Sequence, residues 1–362
     1  MAKIRVRAVT LHVIIDEWLN LNYVNRVVKD ATEIVSEVAD TIQREAGVEV
    51  WTKRVAFPPL RGRVGEAVSI LEKVNYYDGV YYSVLHADSL SISPSHVERV
   101  ISSGDRVYAS VYADGADETT AQLLYSIASL PPSIAYRFSI TIPDLVETPY
   151  FPSATTTSSV PGLSVALLYA SLFREKDRAE ATAELLGTLD RIEDAVADIL
   201  SRRGLQFYGF DLSLSPWMDD SVAGLVEKIS GVPLGEIGTG SAIFELEEMI
   251  ARLCDETTCT GFNQVMLPVA EDNVLKDRVR EGRVNLRDLA LLSYTCVAGV
   301  DMVVVPTKNW SPRLARSILR EMWGASLAKG MPLGVRILTA DGEPGVDVDL
   351  GVFGLTPIIG VE

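Results

Sequence analysis

Two hydrophobic periods alternate along the N-terminal third of the chain. Ile4–Ile15 and Val48–Phe57 alternate apolar and polar residues at period two, whereas Asn22–Glu45 carries its apolar residues at helical spacing. A helix near Gly65–Lys73 and a strand over Gly79–Leu85 continue the series. Ser93-Pro94 predicts a helix start, because the serine hydroxyl can accept from first-turn amides and proline has no N–H to leave unpaired. That helix is expected to end near Gly104, with Asp105–Tyr112 a strand, Asp117–Leu130 a helix and Ile134–Ile140 a strand. Such alternation predicts an α/β layer architecture.

The next segment, Glu147-Thr-Pro-Tyr-Phe-Pro-Ser-Ala-Thr-Thr-Thr-Ser-Ser, has the composition of an exposed linker. Two helical patterns follow, Gly162–Leu172 and Lys176–Arg203, the second with mixed charge on its solvent face. From Leu205 onward the units are compact: Gln206–Leu214 into Asp219–Ile229, Gly238–Cys254, Thr260–Pro268 into Glu271–Glu281, and Val297–Pro306 into Ser311–Lys329. We expect one large α/β domain over residues 1–362, with a sub-boundary near residue 204 as the alternative.

Composition narrows the function classes. Apolar residues make up 48% and charged residues 23%, the balance of a folded globular chain. The net charge is 33 − 49 = −16, which repels phosphate backbones and anionic lipid surfaces, so neither nucleic acid nor a membrane is an expected partner. The opening MAKIRVRAVTLHVII reads as a strand, not an export signal, and the apolar stretches 160–173 and 297–305 are interrupted or shorter than the roughly 20 residues a bilayer requires. Cys254, Cys259 and Cys296 form an odd set whose spacing fits neither a disulfide framework nor a zinc site, and a cytoplasmic location is the expectation. Arginine over lysine, 24 to 9, with few Asn and Gln, suggests a heat-adapted, thermostable protein.

Several polar groups could carry chemistry. Asp211, Ser213 and Ser215 alternate with apolar residues and should share one side of a strand, either as a structural hydrogen-bond row or as ligand contacts. Gly238-Thr239-Gly240-Ser241 opens a helix and offers backbone amides to an anion, or simply a capped turn. Glu271 and Asp272 suit helix capping, acid/base work or a divalent cation. Asp301 lies within an apolar strand, where an unpaired carboxylate is costly. Cys296 at its entrance is either small core filling or a nucleophile; His12, His86 and His96 lie far from it in sequence.

Taken together, VRAVTL at Val6–Leu11, TKR at Thr52–Arg54, RVYASVYAD at Arg106–Asp114, ETPYFP at Glu147–Pro152, DLSLSP at Asp211–Pro216, IGTGSA at Ile237–Ala242, MLPVAEDN at Met266–Asn273 and C-x-x-G-V-D-M at Cys296–Met302 resemble a bacterial and archaeal family called domain of unknown function 711, or uncharacterised protein family 0210. The resemblance spans nearly the whole chain; the C-terminal half is the closer match, while the central helices and the Pro-Ser-Ala-Thr-Thr-Thr-Ser-Ser loop look more like an archaeal branch than like bacterial members. It implies a large pyruvate formate-lyase-like α/β barrel of two five-stranded sheets surrounded by helices, and a small ACT-domain protein as a neighbour. Glycyl radical chemistry is not implied, since Gly351 and Gly354 lack the Arg-Val-Ser-Gly-Tyr-type context.

The expectation is therefore a cytosolic enzyme that binds a small anionic metabolite in the barrel mouth. Arg54, Glu147, Tyr150, Ser213 and Gly238–Ser241 would bind the ligand, Asp211, Glu271 and Asp272 would supply acid/base groups or hold a divalent cation, Asp301 would be a further catalytic carboxylate, and Cys296 a nucleophile. The alternative is a non-catalytic metabolite sensor or an oligomeric scaffold, and a homo-oligomer fits either.

Overall fold

The computed structural model describes residues 3–295 and 298–362. Nine strands, β1 (Arg5–His12), β2 (Val50–Ala56), β3 (Val80–Asp88), β4 (Val107–Tyr112), β5 (Phe138–Ile142), β6 (Gly162–Leu168), β7 (Gln206–Asp211), β8 (Gly299–Pro306) and β9 (Leu333–Ala340), form one mixed sheet in the order 7-6-1-2-3-4-5-9-8. β1 to β5 are parallel neighbours. Helices Leu21–Thr41, Val64–Leu71, Pro94–Ile101 and Glu118–Ala128 make the crossovers between them.

The expected pair of five-stranded sheets is not seen. β6 runs antiparallel to β1, from Arg5↔Leu168 to His12↔Gly162, and β9 runs antiparallel to β5, so both edges of the parallel block continue into reversed pairs. β7 and β8 then add parallel to β6 and β9. Backbone donors that would have ended two separate sheets are thus spent on joining them.

The outermost strands are also tied to each other through an irregular segment, residues 258–266. Phe210 N–H donates to the Thr258 carbonyl at 2.8 Å and Met266 N–H to the Leu214 carbonyl at 2.9 Å, while on the other side Ala298 N–H donates to the Val265 carbonyl at 3.1 Å. The segment read as a strand over Thr260–Pro268 is therefore a connector that makes isolated bridges.

Helix packing follows the sequence period. Val24, Val28, Ala31, Val35 and Val38 lie on one buried face of Leu21–Thr41, and full burial of each valine contributes about 1.5–3 kcal/mol. Ser93, as expected, caps Pro94–Ile101 and closes a capping box with His96.

Three local expectations are corrected. Gly162–Leu168 is a strand whose seven residues are all buried; a run that is apolar but for Ser164 fits strand or helix equally by period, and the open edges of β1 and β7 decide it. Cys254 and Cys259 are joined in a disulfide that ties the end of helix Thr239–Asp255 to the connector. The segment from Val146 to Thr156 is not an exposed linker but runs through the interior, and Tyr150, Pro152, Ala154, Thr155 and Thr156 are buried. Its backbone polarity is met by strand side chains: Thr10 Oγ1 donates to the Pro149 carbonyl at 3.2 Å and Ser83 Oγ to the Pro152 carbonyl at 2.5 Å. Glu147 binds Thr157 N–H at 2.8 Å and closes the loop on itself.

A strand absent from the sequence reading, β9, completes the sheet. No helix among the described residues is long and apolar enough to cross a membrane.

Candidate functional site

The inner face of the sheet and the threaded segment enclose a cavity of about 960 Å³. Its charged wall comes from β1, β2, β8, β9 and the end of the turn Val269–Glu271: Arg7, Arg54, Asp301, Arg336 and Glu271. Two of these side chains reach it because the ladder is interrupted. Val6 pairs with Leu167 and Ala8 with Ala166, so Arg7 is the extra residue of a bulge and turns inward. Likewise the β8–β9 register jumps between Val300 and Val303, with Met302 at φ 51°, and Asp301 faces the cavity.

Four of the five charges form one chain. Arg7 Nη2 donates to Glu271 Oε2, and Arg7 Nη1 to the Pro216 carbonyl at 2.7 Å. Arg336 Nη2 donates to Glu271 Oε1 at 3.0 Å and forks onto Asp301, with Nε 2.6 Å and Nη2 2.8 Å from its two oxygens. Burial opposes ionisation of Glu271, but Arg7 and Arg336 outweigh it and hold the carboxyl below its ordinary value. For Arg336 burial is likewise outweighed by Asp301 and Glu271, and its pKa is raised.

Arg54 is different. It is 8% exposed, donates from Nε to Thr52 Oγ1 at 3.0 Å and from Nη1 to the Pro149 carbonyl at 3.2 Å, and has no carboxylate partner among the described residues. Burial, and then the neighbouring Arg7, pull its pKa down to about 10, which still leaves it cationic at neutral pH. Three guanidiniums face two carboxylates, 3 − 2 = +1, inside a chain of net charge −16. Arg106, Asp78 and Asp105 stand at the solvent-exposed rim, where screening weakens them.

Two runs of aromatic rings line the cavity beside small polar and aliphatic residues such as Ser139, Ser215, Met266 and Val335. Trp51 lies 4.4 Å from Trp217, which meets Phe353 at 5.9 Å, which meets Tyr136 at 5.1 Å. On the other side Tyr81, Tyr108 and Phe151 follow one another at 6.2 and 5.3 Å, and Arg54 stands 5.0 Å over Phe151. The Tyr81, Tyr108 and Tyr136 hydroxyls make no hydrogen bond among the described residues. Burial raises the Tyr108 pKa, so its O–H is kept as a donor.

The structure brings Arg54, Tyr150, Glu271 and Asp301 together at this cavity. Tyr150 donates to Ser215 Oγ at 2.9 Å and stacks beside Arg7. The other expected residues lie elsewhere. Asp211 is fully buried: Oδ1 accepts from Ser213 N, Ser213 Oγ and Asn263 N, and Oδ2 from Thr148 Oγ1 and Phe262 N, which staples β7 to the connector and to the threaded segment. Gly261 runs past it at φ 91°, where an added Cβ would lie 2.0 Å from Asp211 Oδ2. Asp272 takes Ser221 Oγ, Val274 N and Leu275 N on one oxygen and Val222 N and Ala223 N on the other, capping two helices at once. With every oxygen occupied by N–H or O–H donors, neither aspartate presents a lone pair to a cation. Gly238–Ser241 opens the helix Thr239–Asp255, where the buried Thr239 donates from Oγ1 back to the Glu236 carbonyl at 2.9 Å, and does not line the cavity. Glu147 closes the loop as described, and Ser213 belongs to the Asp211 staple. Cys296 lies outside the described residues.

Arg7, Arg336, Tyr81, Tyr108 and Tyr136 escaped the sequence reading. Arg7 shares a strict alternation with Arg5 that suggests solvent, and the bulge that re-aims it leaves no mark in the pattern. Arg336 lies in the unread β9, whose Val-Arg-Ile-Leu run between Gly334 and Thr339 was the available signal.

A family model described as "Uncharacterised ACR (DUF711)" matches residues 118–350. The chain is 26% identical to the UPF0210 protein of Methanopyrus kandleri, over all of this chain and 92% of that protein. It is 23% identical to the UPF0210 protein of Pyrobaculum arsenaticum, over 89% of this chain and 81% of the relative. A bacterial UPF0210 protein, from Streptococcus mutans, is 27% identical over 51% of this chain and 42% of its own length. With the family model covering more than half of it, the chain belongs to the uncharacterised DUF711 family, whose members carry the name UPF0210.

Proposed function

We propose that the protein binds a small anionic metabolite in the cavity, with Arg54 as the anchoring cation. The observation that carries this reading is a buried guanidinium that has no carboxylate partner among the described residues, beside two others that are neutralised. A buried cation is costly unless paired, and an anionic ligand supplies the pair. The curled sheet with its connector then acts as a barrel whose interior is the binding site.

If the protein is an enzyme, Asp301 and Glu271 are its carboxylates nearest the ligand and Tyr108 its hydroxyl donor. A sensor that holds its ligand without turnover is the second reading, favoured by the engagement of both carboxylates in ion pairs.

The test is a thermal-shift series with small carboxylates and phosphates on the parent and on Arg54→Gln. Anions that raise the Tm of the parent should lose that effect in Arg54→Gln. An equal response in both would overturn the assignment.

A further inference from the structure

The charge balance and the rings of the cavity together say more about the ligand than its sign. We propose, resting on the anion reading above, that the occupant is a monocarboxylate carried on a planar, aromatic ring. The inner charges sum to +1, so one carboxylate brings the buried site to neutrality, whereas a dianion would leave excess negative charge away from water. The carboxylate would pair with Arg54, on the wall where Phe151 already stacks against that guanidinium.

A ring on the ligand fits what surrounds that anchor. Tyr81, Tyr108 and Phe151 form one aromatic run, and Trp51, Trp217, Phe353 and Tyr136 another, both lining the same cavity. Aliphatic side chains would serve to enclose a compact anion such as acetate. Aromatic walls instead favour a flat body, through offset or edge-to-face contacts. The Tyr81, Tyr108 and Tyr136 hydroxyls, which make no hydrogen bond among the described residues, offer donors to an acceptor on the ring, which separates a substituted or heteroaromatic ring from a plain hydrocarbon. The volume, about 960 Å³, accommodates such a molecule.

The experiment is calorimetric titration of the full chain with benzoate, cyclohexanecarboxylate, acetate, succinate and benzamide, repeated on Arg54→Gln and Tyr108→Leu. Benzoate should bind about tenfold more tightly than cyclohexanecarboxylate, acetate or succinate. Arg54→Gln should abolish benzoate binding, and Tyr108→Leu should shrink the preference for benzoate over cyclohexanecarboxylate while leaving acetate unchanged. Tyr108→Phe, which keeps the ring, should retain the preference and guards against a folding defect in Tyr108→Leu. If acetate or succinate binds as tightly as benzoate and still depends on Arg54, the anion site stands and the ring is refuted. If benzamide binds as tightly as benzoate and Arg54→Gln changes nothing, the anion reading itself falls. Absence of benzoate binding at millimolar concentration overturns the ring proposal outright.

Discussion

Glu271 and Asp272 are adjacent in sequence and point to opposite sides of the wall: Glu271 accepts two arginines in the cavity, and Asp272 accepts five donors at the start of two helices. The same pair of acids thus splits into one electrostatic and one structural role. Asp272→Ala should lower the unfolding free energy by about 3 kcal/mol, since two helix caps and a buried hydrogen-bond set are lost together. Denaturant unfolding measures this, and ligand affinity of the folded fraction should be unchanged.

Glu271→Gln carries the opposite signature. Removing one member of a buried ion-pair chain costs about 3–5 kcal/mol, because Arg7 loses its carboxylate and Arg336 keeps only Asp301. The cavity balance rises from +1 to 3 − 1 = +2. Affinity for a small anion should therefore increase at least about tenfold even as stability falls, since a unit charge several ångströms away at an effective dielectric near 20 exceeds 1.4 kcal/mol. Parallel titration and denaturation separate the two effects.

The buried histidines set an acid limit. His12, held against Ser164 Oγ at 2.7 Å, is pushed down to about 3 by burial and by His86, and His86, on Ser110 Oγ at 2.6 Å, is pushed down to about 4 by burial. Both are neutral in the folded state and protonate near 6.5 when unfolded. Their contribution is thus complete above pH 6.5 and is lost as pH falls toward 4 and then 3, by up to about 1.4 kcal/mol per pH unit for each histidine. Replacing His86 with Gln should flatten the pH dependence of Tm between pH 6.5 and 4; an unchanged slope would count against the assignment.

Gly261→Ala tests the Asp211 staple. The residue sits at φ 91°, and the new Cβ would collide with a carboxylate whose five donors leave it no room to move. A loss of about 2–4 kcal/mol is expected, read from the midpoint of chemical unfolding.

The parallel block was legible because its strands and crossover helices keep clean periods; Leu21–Thr41 and Pro94–Ile101 fall where Asn22–Glu45 and Ser93-Pro94 placed them. Gly162–Leu168 was not, since a largely apolar run buried at every position has no period to distinguish strand from helix. At the site, Arg54, Tyr150, Glu271 and Asp301 were named from residue type and motif, and all four line the cavity. Asp211 and Asp272 were named by the same logic and serve the backbone instead, because a conspicuous buried acid satisfies helix ends and connectors as readily as a ligand. Arg7 shows the deeper limit: a single bulged residue reverses which way a side chain points, and bulges arise from tertiary fit.

The passage of residues 146–156 through the middle of the molecule changes what evolution can do with them. A loop on the surface accepts insertions at small thermodynamic cost, because water makes room. Here the added atoms would meet Arg54, Ser83 and the ring of Tyr108, which already packs against Phe151 of the segment. Length variation among relatives should thus be suppressed in this stretch despite its loop-like composition, and any residue gained there would have to be matched by volume removed from the cavity or the facing strands.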